Sequence, residues 1–356
     1  MQTPGLIDLQ VNGFAGLDFN SSTVTAAELD RALEAMLATG VTTCLPTIIT
    51  AHPHELEERF RALDAAVKGS RLGPLMCPGY HLEGPFLNPS AGYCGCHPPE
   101  AMTAATPELI AHLEGLLSRP ILMVTLAPEI EGGIALAGEL ARMGKIVAIG
   151  HSAADFDVVA AAADVGVTLS THLGNGLPQD LPKLSNALFA QLGEDRMMAG
   201  FIADGIHLPP KALKSLIRAK GFERSILVTD AVVAAGAVPG RYSFAGMPVE
   251  LRVDGSVYQV NGSSLAGSAL KLDDAVRNVV AWGIATPQEA VAMASTHALA
   301  CIADALAGAG ITLPESAIEW SPDLRVRSVR VGNERRDFAA EAAARRRHQP
   351  KKRGEA

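Results

Sequence analysis

Seven ionisable side chains stand where apolar runs of this chain end. His81 and Glu83 lie in GYHLEGPFLNP (79–89), His151 in IVAIGHS (146–152) and His172 in VTLSTHL (167–173). Asp204 and His207 close MAGFIADGIH (198–207), and Asp230 closes SILVTDA (225–231). A buried carboxylate without a partner costs several kcal/mol, so Glu83 requires donors or a cation. Glu83, His151 and His172 come from neighbouring runs. Two imidazoles and one carboxylate make a three-ligand set with an open position, as catalytic zinc requires.

Each residue also has a plainer reading. A lone histidine at a strand end is usually a hydrogen-bonded, partly buried residue, which is the expectation for His81 and His52. Asp230 suits a helix N-cap. Cys94 and Cys96 form a lone CxC in a Gly/Pro loop and read as ordinary loop cysteines. His54, His112 and His348 lie in polar or helical surroundings and receive no role, and His297 reads as packed or solvated within a helix. The plain readings weaken for the set, because independent runs would all have to end in suitable ligands at one face.

The elements that must position these groups are eight apolar runs, each followed by an Ala/Leu-rich segment. The runs lie at 5–11, 41–49, 74–83, 121–129, 146–152, 167–173, 198–207 and 225–231. Near-continuous apolar strands alternating with helices indicate a parallel sheet covered on both faces. Eight such units predict an α/β fold of the TIM-like (β/α)₈ class, which usually takes about 250 residues and carries its chemistry where strands end. Gln10 and Asn12 close the first run, and Glu129 follows the fourth.

The barrel is expected over 1–310. Residues 241–262 alternate and carry Asp254-Gly255, the signal of a β-hairpin insertion. Residues 311–334 are expected to add a few short strands, the remnant of a small β-domain. The basic stretch 335–356 reads as a disordered, solvated tail.

Composition narrows the partners. Of 356 residues, 48% are hydrophobic and only 4% aromatic, so the core must rest on Ala, Val, Leu and Ile. A net charge of −8 offers no general affinity for nucleic acid or anionic membranes. No apolar run is expected to reach the length of a membrane span, and MQTPGLIDLQ has no signal-peptide pattern. Five cysteines without CxxC spacing point to a reducing compartment, hence the cytoplasm.

Several motifs then occur together and in order: PGLIDLQVNG (4–13), HLEGPFLNP (81–89), GHSAAD (150–155), THLGN (171–175), FIADGIHL (201–208), LVTDA (227–231) and SSLAGSAL (263–270). With them, residues 4 to 300 resemble the amidohydrolase superfamily and, within it, the N-acetylglucosamine-6-phosphate deacetylases. The resemblance implies Glu83, His151 and His172 as metal ligands and Asp230 as catalytic acid/base. It also implies His97, Asn175 and His207 as substrate-binding residues, and we place Gln10 with them. Dinuclear relatives carry HxH on strand 1 and a lysine on strand 4. Gln10-x-Asn12 and TLAPE stand there in this chain, so one divalent ion per chain, Zn²⁺, is the expectation. The family also has an arginine that reaches the substrate phosphate of a neighbouring subunit. Lys183 is its nearest match here, and a homodimer follows from the resemblance.

The implied reaction is hydrolysis of the N-acetyl amide of an amino sugar, N-acetylglucosamine 6-phosphate first among them. Zn²⁺ lowers the pKa of a bound water from 15.7 to about 7 and polarises a carbonyl. Two alternatives stay open at this point: another mononuclear amidohydrolase acting on N-acyl amino acids or cyclic amides, and a non-catalytic sugar-binding barrel. The family's N-terminal β-domain is expected to be truncated or missing, because the first strand begins almost at Met1.

Overall fold

Each of the eight apolar runs forms a strand. In the computed structural model, which describes residues 1–260, 262 and 264–338, these are β1 (Leu6–Val11), β2 (Val41–Ile49), β3 (Tyr80–Glu83) and β4 (Ile121–Leu126). They are followed by β5 (Ile146–Ile149), β6 (Leu169–Ser170), β7 (Met198–Ile202) and β8 (Ser225–Val228). Neighbours pair in parallel and in chain order from β1 to β8. The sheet closes just past the strand ends. Asp230 N donates to Gln10 O at 3.0 Å, Asn12 N donates to Ala231 O at 2.7 Å, and Val11 bridges Ala231 in parallel. This is the expected (β/α)₈ barrel. Every residue of β1 and β2 is buried, as parallel strands covered on both faces require.

The surrounding helices begin and bury as their sequences direct. The first, Ala26–Leu37, opens on a reciprocal capping box between Thr25 and Glu28 and buries Leu29, Leu33, Met36 and Leu37 on one face. Residues 287–308 reach the length and apolarity of a membrane span, contrary to the expectation from the sequence. Half of that stretch is buried inside the fold, and Ala294 and Ser295 interrupt it between the helices Pro287–Met293 and Thr296–Gly308. Its apolarity therefore packs against the barrel.

The insertion is larger than a hairpin. β9 (Gly240–Phe244), β10 (Met247–Leu251) and β11 (Val257–Gln259) form a three-stranded antiparallel meander. Its first turn is Ala245-Gly246, with φ of 50° and 85°, a two-residue turn built on an uncommon dipeptide. Asp254-Gly255 serves the second turn. Phe244, Val249, Leu251 and Val257 form a small core with Ile49, Val232 and Val233, which fastens the meander over the strand ends.

At the C-terminus, β12 (Ser316–Trp320), β13 (Val326–Val331) and β14 (Glu334–Asp337) form a sheet that the N-terminal pair Gln2–Thr3 completes as a fourth strand. Trp320 Nε1 donates to Thr3 Oγ1 at 2.8 Å across that junction. The expected tail boundary is corrected here, because β14 runs on through Asp337. The rest of that tail, 339–356 with His348, lies outside the described residues.

Candidate active site

The strand ends open into a cavity of about 660 Å³ whose wall includes Glu83, His97, His151, His172, His207 and Asp230. A second cavity of about 650 Å³ lies near the starts of β1 and β2 and is lined without any titratable side chain. Chemistry therefore belongs to the first.

Glu83 is the last residue of β3 and sits at its centre. Its Oε1 lies 3.0 Å from His172 Nε2, 3.5 Å from His151 Nε2 and 3.0 Å from Gln10 Nε2, while Oε2 lies 3.9 Å from His97 Nε2. Burial alone would raise its pKa. The imidazoles around it outweigh that effect and hold the carboxyl well below its usual range, so it is ionised. Burial likewise depresses His172, but Glu83 more than offsets it and the net direction is upward. His97 is pulled down to about 3 by burial and by the neighbouring His151.

The tautomers of two imidazoles follow from their other partners. His151 Nδ1 lies 2.7 Å from Tyr93 O, and a carbonyl only accepts, so Nδ1 carries the hydrogen. Thr50 Oγ1 gives its hydrogen to Glu83 O at 3.3 Å and therefore accepts from His97 Nδ1 at 2.8 Å. In the neutral rings both Nε2 atoms are then bare and turned toward Glu83, the form in which an imidazole serves as a metal ligand. His172 adds a buried Nδ1 that has no partner among the described residues. Glu83, His97 and His151 bring ligand atoms within 4.8 Å of one another. Nitrogen and carboxylate donors with their outer nitrogens tied to oxygen fit a divalent ion of the zinc type.

The backbone is shaped around this set. His151, His172 and Asp230 all adopt left-handed conformations, with φ of 52°, 29° and 50°. Such residues cost of order 1–3 kcal/mol each and persist where the surroundings over-determine them. Gly95 and Gly176, from two different loops, close on the His151 ring. A Cβ on either would stand 3.0 Å from Cε1 or 2.7 Å from Nδ1, and both have positive φ, so only glycine fits.

Asp230 Oδ1 accepts from Asn12 Nδ2 at 2.7 Å. Burial, and then the charge of Glu83, pushes its pKa up to about 6. Directly behind it, Asp8 accepts from Thr229 Oγ1 at 2.6 Å and Thr229 N at 3.2 Å. His207 Nδ1 is held 2.6 Å from Asp204 Oδ2, which leaves Nε2 for a ligand, and Asn175 donates to His172 O at 3.0 Å from the cavity wall.

The fold thus brings together Glu83, His97, His151, His172, Asn175, His207 and Asp230. Two expectations are displaced. Gln10 does not stand on the cavity wall but behind Glu83, where its amide holds the carboxylate. Lys183 is exposed and absent from the lining, because its loop carries it past the rim after Gln179. Cys94 and Cys96, expected as ordinary loop residues, line the cavity rim. His81 is fully buried beneath the site and pulled down to about 4 by burial, so it is neutral. His112 meets Glu57 and His297 meets Ser225 O, both outside the cavity. Sequence reasoning missed Asp8, although a carboxylate inside LIDLQV was a visible signal. It also missed Thr50, for which a hydroxyl closing an apolar run is only a faint one.

Comparison with known proteins agrees with this geometry. The chain is 34% identical over 295 residues to an N-acetylgalactosamine-6-phosphate deacetylase of Escherichia coli O157:H7, covering 83% of this chain and 76% of that protein. It is 34% identical over 309 residues to the N-acetylglucosamine-6-phosphate deacetylase of Danio rerio, covering 83% and 73%. The solved N-acetylglucosamine-6-phosphate deacetylase of Pasteurella multocida superposes with a TM-score of 0.82 at 29% identity, over 94% of this chain and 86% of that one. That of Thermotoga maritima gives 0.80 at 25% identity, over 94% and 88%. Residues 1–303, which contain all eight barrel strands and every residue converging on Glu83, match the model of the amidohydrolase family, and the chain belongs to that family.

Proposed function

We infer that this protein hydrolyses the N-acetyl amide of an amino-sugar 6-phosphate, releasing acetate and the free amine. The observation that carries the reading is the convergence of His172 Nε2 and His151 Nε2, 3.0 and 3.5 Å away, on Oε1 of the buried Glu83 beside the buried Asp230. Relatives named for N-acetylglucosamine 6-phosphate and N-acetylgalactosamine 6-phosphate support the substrate class.

Glu83, His151 and His172 would hold one Zn²⁺ per chain, all three being strand-end residues on the rigid barrel. Bound there, the ion supplies Lewis acidity toward the amide carbonyl and acidifies a water. Asp230 would take a proton from the attacking water as the C–O bond forms and return it to the nitrogen as the C–N bond breaks. Asn12 orients the Asp230 carboxylate. His97 and Asn175 flank the acetamido group and the sugar. His207, oriented by Asp204, takes the phosphate side. Lys183 fits a role across a homodimer, toward a neighbouring chain's sugar. Its ammonium is a point charge without the bidentate fork of arginine. Five free cysteines accord with a cytoplasmic setting for this reading.

The test is acetate release from a panel of N-acetyl hexosamines, N-acyl amino acids and cyclic amides, using metal-stripped and Zn²⁺-restored protein. Turnover of an N-acetylhexosamine 6-phosphate that depends on restored metal is expected. Zinc-loaded protein that releases acetate from none of the sugars would overturn the reading. Turnover of another class alone would reassign the substrate.

A further inference from the structure

Below the cavity floor runs a chain of buried side-chain hydrogen bonds. Thr47 Oγ1 gives its hydrogen to Leu45 O at 3.1 Å and accepts Val11 N–H at 3.1 Å. With that hydrogen on Leu45 O, His81 Nδ1, facing Thr47 Oγ1 at 3.2 Å, carries the ring hydrogen. A neutral imidazole has only one, so His81 Nε2 accepts from Thr125 Oγ1 at 2.8 Å. Thr125 in turn accepts from Thr171 Oγ1 at 2.7 Å. The series joins β2, β3, β4 and the residue just past β6, and crosses β5 without touching a side chain there.

That crossing depends on one glycine. A Cβ at Gly150 would stand 2.6 Å from Thr125 Cγ2 and 3.1 Å from Thr171 Cβ, so any side chain there would force the two threonines apart. Three links tie the series to the site. His81 and Glu83 share a face of β3, being two residues apart. Thr125 is the register partner of Glu83. Thr171 precedes His172, whose φ of 29° needs support that β6, with two ladder residues, supplies sparingly.

We propose that His81, Thr125 and Thr171 are positioning residues that hold Glu83 and His172 in the geometry required to bind the metal, with Gly150 keeping their path open. The proposal rests on the reading of Glu83, His151 and His172 as the ligand set. Partners hydrogen-bonded directly to metal ligands typically contribute about 10–100-fold in metal affinity, and this series, acting through the backbone beside the ligands, has that as its upper bound.

The experiment compares Zn²⁺ affinity by chelator competition in the parent, Thr125→Val, Thr171→Val, Thr171→Ser and Thr125→Val/Thr171→Val proteins, with thermal unfolding of the metal-free forms alongside. Both single valine variants should bind more weakly, by up to about 10–100-fold. The serine variant should recover most of that loss, and the double variant should be little worse than Thr125→Val alone, since Thr125→Val already breaks the link to Thr171 as well as the one to His81. Valine variants within twofold of the parent would overturn the proposal, as would a serine variant as weak as Thr171→Val, because packing would then be the cause. A parent protein that binds no Zn²⁺ sinks the ligand reading instead. In that event the ring-nitrogen shifts of ¹⁵N-labelled His81 decide the hydrogen-bond series by themselves: a hydrogen on Nδ1 supports it, and one on Nε2 refutes it.

Discussion

Gln10 Nε2 donates to Glu83 Oε1 at 3.0 Å, and the same oxygen lies 3.0 Å from His172 Nε2. β1 therefore presents an amide donor to the central carboxylate, where an imidazole could have presented a second ligand set. Elemental analysis of the purified protein should find about one divalent ion per chain. Two tightly bound ions would mean that Gln10 and Asn12 have been misassigned.

His97 and His172 both approach Glu83, but from different supports: a loop after β3 in one case, the end of β6 in the other. His172→Ala should abolish most Zn²⁺ binding, since only two of the proposed ligands remain. His97→Ala should keep the ion and lose turnover. The reverse pattern in dialysis measurements would exchange their roles.

Asp230→Asn should preserve fold and metal yet lower kcat by about 10²–10⁴-fold, the range for a lost general acid–base group. As a base, Asp230 must be ionised, so kcat/KM should fall as pH drops. In the metal-free protein burial, and then the charge of Glu83, pushes the Asp230 pKa up to about 6. A bound cation neutralises part of the Glu83 charge that raises it, which places the acid limb at or below pH 6. A variant with near-parent kcat would remove Asp230 from the chemistry; the helix-capping expectation is already corrected by the structure, where the strand β9 and not a helix follows β8.

Asp8 is buried and pushed up to about 7 from an ordinary 3.8, chiefly by burial. Its folded pKa lies above its unfolded one, so the stability it contributes is fully present below about pH 4 and is lost as pH rises through 7. The difference corresponds to about 4 kcal/mol at most. Urea unfolding at several pH values should show a flatter pH dependence over that window for Asp8→Asn than for the parent. Parallel profiles would remove Asp8 from the account.

His207 lines the cavity and Lys183 does not. If His207 takes the phosphate, His207→Ala should raise KM for the phosphorylated sugar about 10–100-fold, the worth of a charged hydrogen bond. It should leave the neutral sugar nearly unchanged. Lys183→Ala should shift KM for the phosphosugar only if the protein is a dimer, so sedimentation equilibrium belongs with the kinetics. Equal kcat/KM for N-acetylglucosamine and its 6-phosphate would reassign the substrate while leaving deacetylation intact.

Much of this molecule is written locally in its sequence. The eight strands are apolar runs ended by polar residues, a signal contained within each run, and β1 to β8 appear where those runs lie. Because a (β/α)₈ barrel collects its strand ends at one face, the places of Glu83, His151, His172, His207 and Asp230 in the sequence already group them. What the run of residues could not convey is which side chain meets which. Gln10 reaches Glu83 across 73 residues and His172 reaches it across 89. Thr229 reaches Asp8 across 221. Nothing local distinguishes a glutamine that binds sugar from one that holds a carboxylate, or a lysine at the cavity from one past its rim. Those distinctions depend on barrel closure and loop path, which arise only when distant strands share one sheet. The tautomers of His97 and His151, the left-handed turns at three site residues and the glycines packed on an imidazole ring are likewise properties of the closed barrel.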